Sequence, residues 1–231
     1  MYHNFVDFRK ACDSIHQASL WKIVKLYGVN ILKLCYQNYE CTVKLTASTP
    51  RWFDIKTSVR QGCVISPFLF VIVTDFIMKK LGAVRTSALR WTLTSILSYL
   101  AYADDICLIS ATQDGISKAT RELNKIASMV GNKINAEKTK VMRVQPSMEQ
   151  PPVVTDSLQR EYVEDFRYLG AIVTSTGGAS TDVITRIRSA GSAYGMLRNI
   201  WRFSSITKKV KVKVFNSNVL SVHFMAVRLG E

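Results

Sequence analysis

Tyr102-Ala103-Asp104-Asp105 lies between two apolar runs, Leu97 to Tyr102 before it and Ile106-Cys107-Leu108-Ile109 after it. Short apolar runs split by a polar pair read as two buried strands joined by a tight turn, with both carboxylates at the tip. Aspartate also fills hairpin turns simply because its short side chain tolerates turn backbone, so the tetrapeptide alone leaves an ordinary turn open. A third acid changes the reading. Phe5-Val6-Asp7-Phe8 is a short apolar strand interrupted by one carboxylate. An acid in an apolar strand is costly unless it is paired or bound to a cation. Asp7 is therefore a candidate partner for Asp104 and Asp105 from a neighbouring strand; the alternative is a strand-end aspartate facing water. Three oxygen donors suit Mg2+, which prefers hard ligands and is usually held by one or two carboxylates plus substrate phosphates. Two such ions about 4 Å apart activate an attacking hydroxyl and stabilise a leaving oxygen, so the constellation points to phosphoryl transfer.

Further context comes from Arg60-Gln61-Gly62-Cys63-Val64-Ile65-Ser66-Pro67-Phe68-Leu69-Phe70, a polar loop running directly into an apolar helix. Ser66 suits its cap and Pro67 its first turn, and Lys79-Lys80-Leu81-Gly82 supplies basic residues and a glycine stop. Asp75 and the lysines interrupt the run before the roughly 20 apolar residues of a membrane span, so this is a buried helix. Gly62 allows a backbone to approach a ligand closely, and Gln61 offers both donor and acceptor to a base or sugar edge.

Five stretches in this order resemble the reverse transcriptases, most closely those of LINE-type retrotransposons that lack long terminal repeats. They are Asp7 to His16, Arg60 to Phe70, Tyr102 to Asp105, Gly131-Asn132-Lys133-Ile134-Asn135-Ala136-Glu137-Lys138-Thr139-Lys140, and Tyr168-Leu169-Gly170. Each is weak alone; together, in the family's order and spacing, they cover roughly residues 4 to 220. The resemblance implies an α+β fold, a polymerase palm of antiparallel sheet packed on helices over residues 1–174, followed by a basic, helical, thumb-like region over 175–231. It implies that Asp7, Asp104 and Asp105 hold two Mg2+ ions, with Mn2+ a possible substitute and the Phe8 carbonyl a further ligand. It puts Arg60, Gln61, Gly62 and Tyr102 against template and incoming nucleotide, and Tyr168, Leu169 and Gly170 against the primer end. Lys138, with Lys140 as a neighbouring candidate, falls where the family protonates the leaving diphosphate; a solvated surface lysine is the other reading. The implied partners are an RNA template, a DNA primer and deoxynucleoside triphosphates.

Two departures qualify the likeness. Cys12 stands where the family usually has an aromatic ring that blocks a ribose 2′-hydroxyl, so weak discrimination against ribonucleotides is expected. The sequence also opens at the first catalytic strand, which leads to the expectation of a palm and thumb without fingers, as in a truncated element copy. A catalytically silent nucleic-acid-binding remnant is the alternative function, and an unfolded relic a third. An RNA-dependent RNA polymerase is disfavoured by the Tyr-x-Asp-Asp form together with the Arg60-Gln61-Gly62 and Lys138-Thr139-Lys140 stretches.

Composition agrees. The 231 residues carry a net charge of +14. No acid occurs from Val183 to Gly230, whereas Arg186, Arg188, Arg198, Arg202, Lys208, Lys209, Lys211, Lys213 and Arg228 all do. Such a run points to nucleic-acid phosphates. It reads equally as a solvated face over an apolar stripe of Val183, Ile184, Ile187, Ala190, Tyr194, Leu197 and Trp201, and helical spacing favours a packing role for the aromatics over base stacking. Five cysteines without metal-ligand spacing read as reduced thiols, and with no long apolar leader a cytoplasmic or nuclear location is expected. Ile116, Ala119, Leu123, Ile126 and Val130 predict one face of a helix stopping at Gly131, and Gln145 to Pro152 a proline-bearing loop.

Overall fold

The computed structural model describes residues 1–36, 40–42, 53–54, 58–60, 62–82, 89–90, 92, 95–144 and 161–224. Gln61, the loop Gln145 to Pro152 and the tail from Met225 lie outside the described residues. The chain divides into two compact units, one built on the residues up to Val141 and one on those from Val163.

The first unit holds strand β1 (Tyr2–Val6), helix α1 (Gln17–Leu26), a 3-10 segment (Asn30–Tyr36), β2 (Glu40–Cys41), β3 (Phe53–Asp54), α2 (Ser66–Gly82), β4 (Leu89–Arg90) and β5 (Ile96–Leu97). There follow β6 (Tyr99–Tyr102), β7 (Asp105–Ser110), α3 (Gln113–Met129), the first half of β8 (Lys140–Arg143), which the unit boundary after Val141 divides, and β9 (Glu161–Tyr162). Five strands make one sheet in the order β6-β7-β1-β8-β9. β1 and β7 are antiparallel, with Val6 opposite Ile106 and Asn4 opposite Leu108. Because side chains alternate across a strand, Val6, Phe8, Ile106 and Leu108 share one face and enter the core beneath the helices. Asn4, on that face and fully buried, donates from Nδ2 to Thr120 Oγ1 of α3 at 2.6 Å.

Helix α3 is built as its sequence predicts. Thr112 caps it by accepting from Gly115 N–H at 3.1 Å, and Ile116, Ala119, Leu123 and Ile126 are buried. Its end abuts the loop that follows Asp7: Gly131 has φ +97°, and a Cβ there would stand 2.3 Å from the Ser14 carbonyl. Next to it the buried Asn132 accepts from Ser14 Oγ at 2.8 Å, and His16 N–H donates to Val130 C=O at 2.9 Å.

Two expectations are corrected. Of the two strands expected to be buried, only β7 is; β6 lies at the sheet edge, with Leu100 45% and Tyr102 57% exposed. Ser66 does not cap α2. It is already in the first turn and buried, so its hydroxyl donates to Arg60 C=O at 2.5 Å and meets the Tyr36 hydroxyl at 2.9 Å. The segment Asn30–Tyr36 is 3-10 and follows Gly28, where φ is +75°. Asp75 on the apolar α2 is satisfied by the Tyr27 hydroxyl at 2.6 Å and Lys79 Nζ at 2.7 Å. Among the described residues no helix is long and apolar enough to cross a membrane.

The second unit holds the hairpin β10 (Asp165–Tyr168) and β11 (Ala171–Thr174), then α4 (Ser180–Met196), α5 (Arg198–Arg202), α6 (Lys208–Phe215), a π-helical turn (Asn216–Leu220) and α7 (Ser221–Phe224). Tyr168 pairs with Ala171, leaving Leu169 (φ +49°) and Gly170 (φ +80°) as a two-residue loop. Two left-handed residues are the signature of a type I′ turn, whose twist matches that of the strands. Asp182 ties this hairpin to α4: its carboxylate accepts from Ile172 N–H at 2.9 Å and from Arg186 Nε at 2.6 Å. Both partners hold its carboxyl below the usual range, the Arg186 hydrogen bond most. Tyr194 stacks on Trp201 at 5.0 Å, Phe215 meets Tyr194 edge-on at 6.4 Å, and Trp201 Nε1 donates to Tyr194 C=O at 2.8 Å. These aromatics pack against one another, yet the stripe is only half covered, and Val183, Ile184 and Ile187 remain about half exposed.

Gly131→Ala must relieve both a backbone clash and a left-handed φ; it is expected to destabilise the first unit by about 2–3 kcal/mol in urea unfolding. Asp182→Asn is expected to cost about 1–2 kcal/mol at pH 7. Because the folded-state pKa of Asp182 is depressed, that stabilisation is present above the unfolded value, near 4, and disappears as pH falls through the folded value. Unfolding curves of wild type and variant should therefore converge in acid.

Candidate active site

The antiparallel register brings the acids together. One step past Val6 and Ile106, Asp7 comes across from Asp105, and both lie on the face of the sheet turned away from α3. Tyr102 pairs with Asp105, so Ala103 and Asp104 form a two-residue loop. Ala103 has φ +53° while Asp104 stays at negative φ, which marks a type II′ turn rather than type I′. Glycine is the usual residue at that first position. An alanine there stores strain of about 1 kcal/mol, the kind of outlier that gathers at working sites.

Electrostatics reports the same proximity. The Asp105 carboxyl is pushed up by partial burial and then by the negative charges of Asp104 and Asp7. The Cys12 thiol is pushed up by partial desolvation, then by Asp104 and Asp13. Cys12 thus belongs to the neighbourhood of the aspartates, with its carbonyl held by Val59 N–H at 3.2 Å. Buried Cys107, on β7 behind Asp105, has its thiol pushed up to about 12 by burial alone.

Among the described residues no three His, Cys, Asp or Glu side chains close into a cage that holds a metal by itself. The donor set nonetheless fits a hard divalent ion completed by substrate oxygens, because the acids crowd one sheet end, where burial and then the charges of Asp104 and Asp7 raise the proton affinity of Asp105. The backbone supplies another donor. Phe8 bridges Ile134, but the hydrogen bonds come from its neighbours: Asn135 N–H donates to Asp7 C=O and Arg9 N–H to Lys133 C=O, each at 2.8 Å. The carbonyl of Phe8 therefore points the other way, towards the hairpin side.

A cavity of about 790 Å³ opens beside Asp7, walled on one side by Arg9, Lys10 and Ser14 and on the other by Lys133, Asn135 and Lys138. Lys138 is exposed on that wall, and Lys10 holds a left-handed φ of +49°. Arg60 lays its guanidinium 4.7 Å over the Tyr36 ring, exposed Gly62 has φ +79°, and Gln61 lies outside the described residues.

Tyr168-Leu169-Gly170 is the type I′ turn of the second unit. The basic residues there differ in freedom. Arg186 is engaged by Asp182 and by Gly170 C=O at 3.3 Å, and Lys211 Nζ donates to Trp201 C=O at 2.9 Å. Arg188, Arg198, Arg202, Lys208, Lys209 and Lys213 are exposed. Sequence reasoning assigned no role to Asn135 or Thr139, which grip the backbone of Asp7. The only signal was their place in the stretch that contains Lys138.

A mixed sheet backed by helices, its β6-β7-β1 part antiparallel and its β8-β9 edge parallel rather than antiparallel as expected, with carboxylates at the ends of two adjacent strands and on the turn beside them, is the palm of a template-directed polymerase. The reverse transcriptase (RNA-dependent DNA polymerase) family matches residues 2–173, and the chain belongs to that family. A domain of unknown function matches residues 193–224. The Pol polyprotein of the type-2 retrotransposable element R2DM of Drosophila melanogaster is 26% identical over 188 residues, 74% of this chain and 17% of the relative. That of the type-1 retrotransposable element R2 of Nasonia vitripennis is 23% identical over 77% of this chain and 18% of the relative. These relatives place the chain among the LINE-type reverse transcriptases. Telomerase from Candida tropicalis, solved with a fragment of telomeric RNA, superposes with a TM-score of 0.57 at 15% identity, over 99% of this chain and 38% of that one. A truncated apo telomerase from the same species gives 0.55 at 18% identity, over 75% of this chain and 34% of that one. The chain thus spans under a fifth of these polyproteins.

Asp104→Asn removes one of the charges that hold the Cys12 thiol protonated. Alkylation of Cys12 by iodoacetamide at pH 8.5, read by peptide mass, is expected to run about two- to fivefold faster in the variant, since the thiolate is the reacting form.

Proposed function

We propose that the chain is the palm and thumb part of an RNA-directed DNA polymerase that joins a deoxynucleoside triphosphate to a primer 3′-hydroxyl opposite an RNA template. The observation that carries this reading is the juxtaposition of Asp7 with Asp105, and of Asp104 on the adjoining turn, in a chain of the reverse transcriptase family. In the reaction the primer 3′-oxygen attacks the α-phosphorus, the bond from that phosphorus to its bridging oxygen breaks, and diphosphate leaves. Divalent ions, Mg2+ or Mn2+, held by Asp7, Asp104, Asp105 and the Phe8 carbonyl, would lower the pKa of the attacking hydroxyl and neutralise the leaving group.

The chain's own groups do the rest. Lys138 gives a proton to the leaving diphosphate oxygen across the cavity it shares with Asp7. Arg60, Gln61 and Gly62, with Tyr102 beside the turn, bear on template and nucleotide. Tyr168, Leu169 and Gly170 bear on the primer end, the backbone of their turn being fixed by its left-handed pair. The exposed cations of α4, α5 and α6 neutralise nucleic-acid phosphates. That basic surface also supports a second reading, binding of nucleic acid without chemistry.

Primer extension on an RNA template separates the two readings. The full chain with Mg2+ and deoxynucleotides should extend, and Asp104→Asn should lower the rate at least about a thousandfold while shifting primer-template affinity less than about threefold. Salt-sensitive binding without extension would leave the silent reading. In the same assay Cys12→Phe should raise the preference for deoxynucleotides over ribonucleotides by about tenfold or more; unchanged discrimination sinks the role given to Cys12.

A further inference from the structure

The backbone of Asp7 is held on two points by one short segment. Its N–H donates to Thr139 Oγ1 at 3.3 Å, and its carbonyl accepts from Asn135 N–H at 2.8 Å. That segment is itself closed, Thr139 N–H donating to Asn135 C=O at 2.9 Å. Between these anchors stand Ala136, Glu137 and Lys138, and the last two line the cavity beside Asp7. Thr139 is only 2% exposed, so its hydroxyl sits where water does not replace it.

We propose that Thr139 is a positioning residue: its hydroxyl, with the Asn135 amide, locks the strand that ends in Asp7 and the turn that carries Lys138 into one frame. The inference rests on the polymerase reading of Asp7 and Lys138, and adds to it a group that touches neither substrate nor metal. Two functional groups from segments 132 positions apart need a common reference if one is to face the attacking oxygen and the other the leaving oxygen. A hydrogen bond to backbone supplies that reference without placing another charge in the site. Misplacement by about 1 Å is enough to cost about a hundredfold in rate, so a modest loosening of this clamp has a large kinetic effect.

The test uses the full chain with Thr139→Val, which keeps the side-chain shape and removes the acceptor, and Thr139→Ser, which restores it. Single-turnover primer extension is expected to slow about ten- to a hundredfold in the valine variant, with the deoxynucleotide KM changed less than about threefold and the serine variant within about threefold of wild type. Losses from Thr139→Val and Lys138→Ala should fall well short of multiplying, because the first already displaces the second group. Wild-type rates in Thr139→Val, or losses that multiply fully, overturn the proposal. If the wild-type chain does not extend at all, the polymerase reading fails separately and Mn2+ binding by paramagnetic resonance decides this one. Weaker binding in the valine variant, restored by serine, then supports the clamp, and equal binding overturns it. Should the valine variant fail to melt cooperatively, Thr139→Ala takes its place, and wild-type rate or Mn2+ affinity in it overturns the proposal.

Discussion

Like charge held together is the constraint on which the first unit is organised. The register of β1 on β7 leaves Asp7 no choice but to stand across from Asp105, and the type II′ turn sets Asp104 beside them. Three carboxylates at one sheet end repel, and Asp104 and Asp7 add to the partial burial that raises the proton affinity of Asp105. The arrangement persists because the strands beneath are fixed by burial: Val6, Ile106 and Leu108 are each at most 4% exposed. Hydrophobic packing of about 1.5–3 kcal/mol per such side chain outweighs repulsion between partly solvated charges.

The segment after α3 is the second support. Gly131 lets two backbones meet where no side chain fits, Asn132 takes the Ser14 hydroxyl, and Asn135 and Thr139 hold Asp7. The loop following Asp7 is pinned from the opposite side as well, with Ser58 N–H donating to Ile15 C=O and Val59 N–H to Cys12 C=O. A site made of short polar contacts on both flanks of one strand end is pre-organised, and its acids need not be gathered when substrate arrives.

How far the sequence discloses this depends on the range of each interaction. The buried face of α3 was legible because helical periodicity writes it into Ile116, Ala119, Leu123 and Ile126. Asp7 was legible as a partner of the hairpin because an acid in an apolar strand needs one. The exposure of β6 was not, since an apolar run reads alike at the centre and at the edge of a sheet. Ser66 passed for a cap because capping residues and buried hydroxyls share a composition; only the fold brings Tyr36 and the Arg60 carbonyl to it. The stripe of α4 has the periodicity of a buried face, yet half of it meets solvent. The threonine that grips Asp7 was invisible for the plainest reason, a contact across 132 positions.

Strand order has a consequence for how the chain is made. β1 lies between β7 and β8, so this strand is synthesised well before either of the partners it pairs with. At about 5–20 residues per second, roughly 5–20 seconds pass before β7 exists to pair with it. Meanwhile Phe5 and Val6, destined to be almost wholly buried, have no sheet to enter. Helices α1 and α2 can form locally in that interval, but the sheet closes only through a long-range step, which makes its assembly slow and leaves these apolar side chains open to aggregation until the partners arrive.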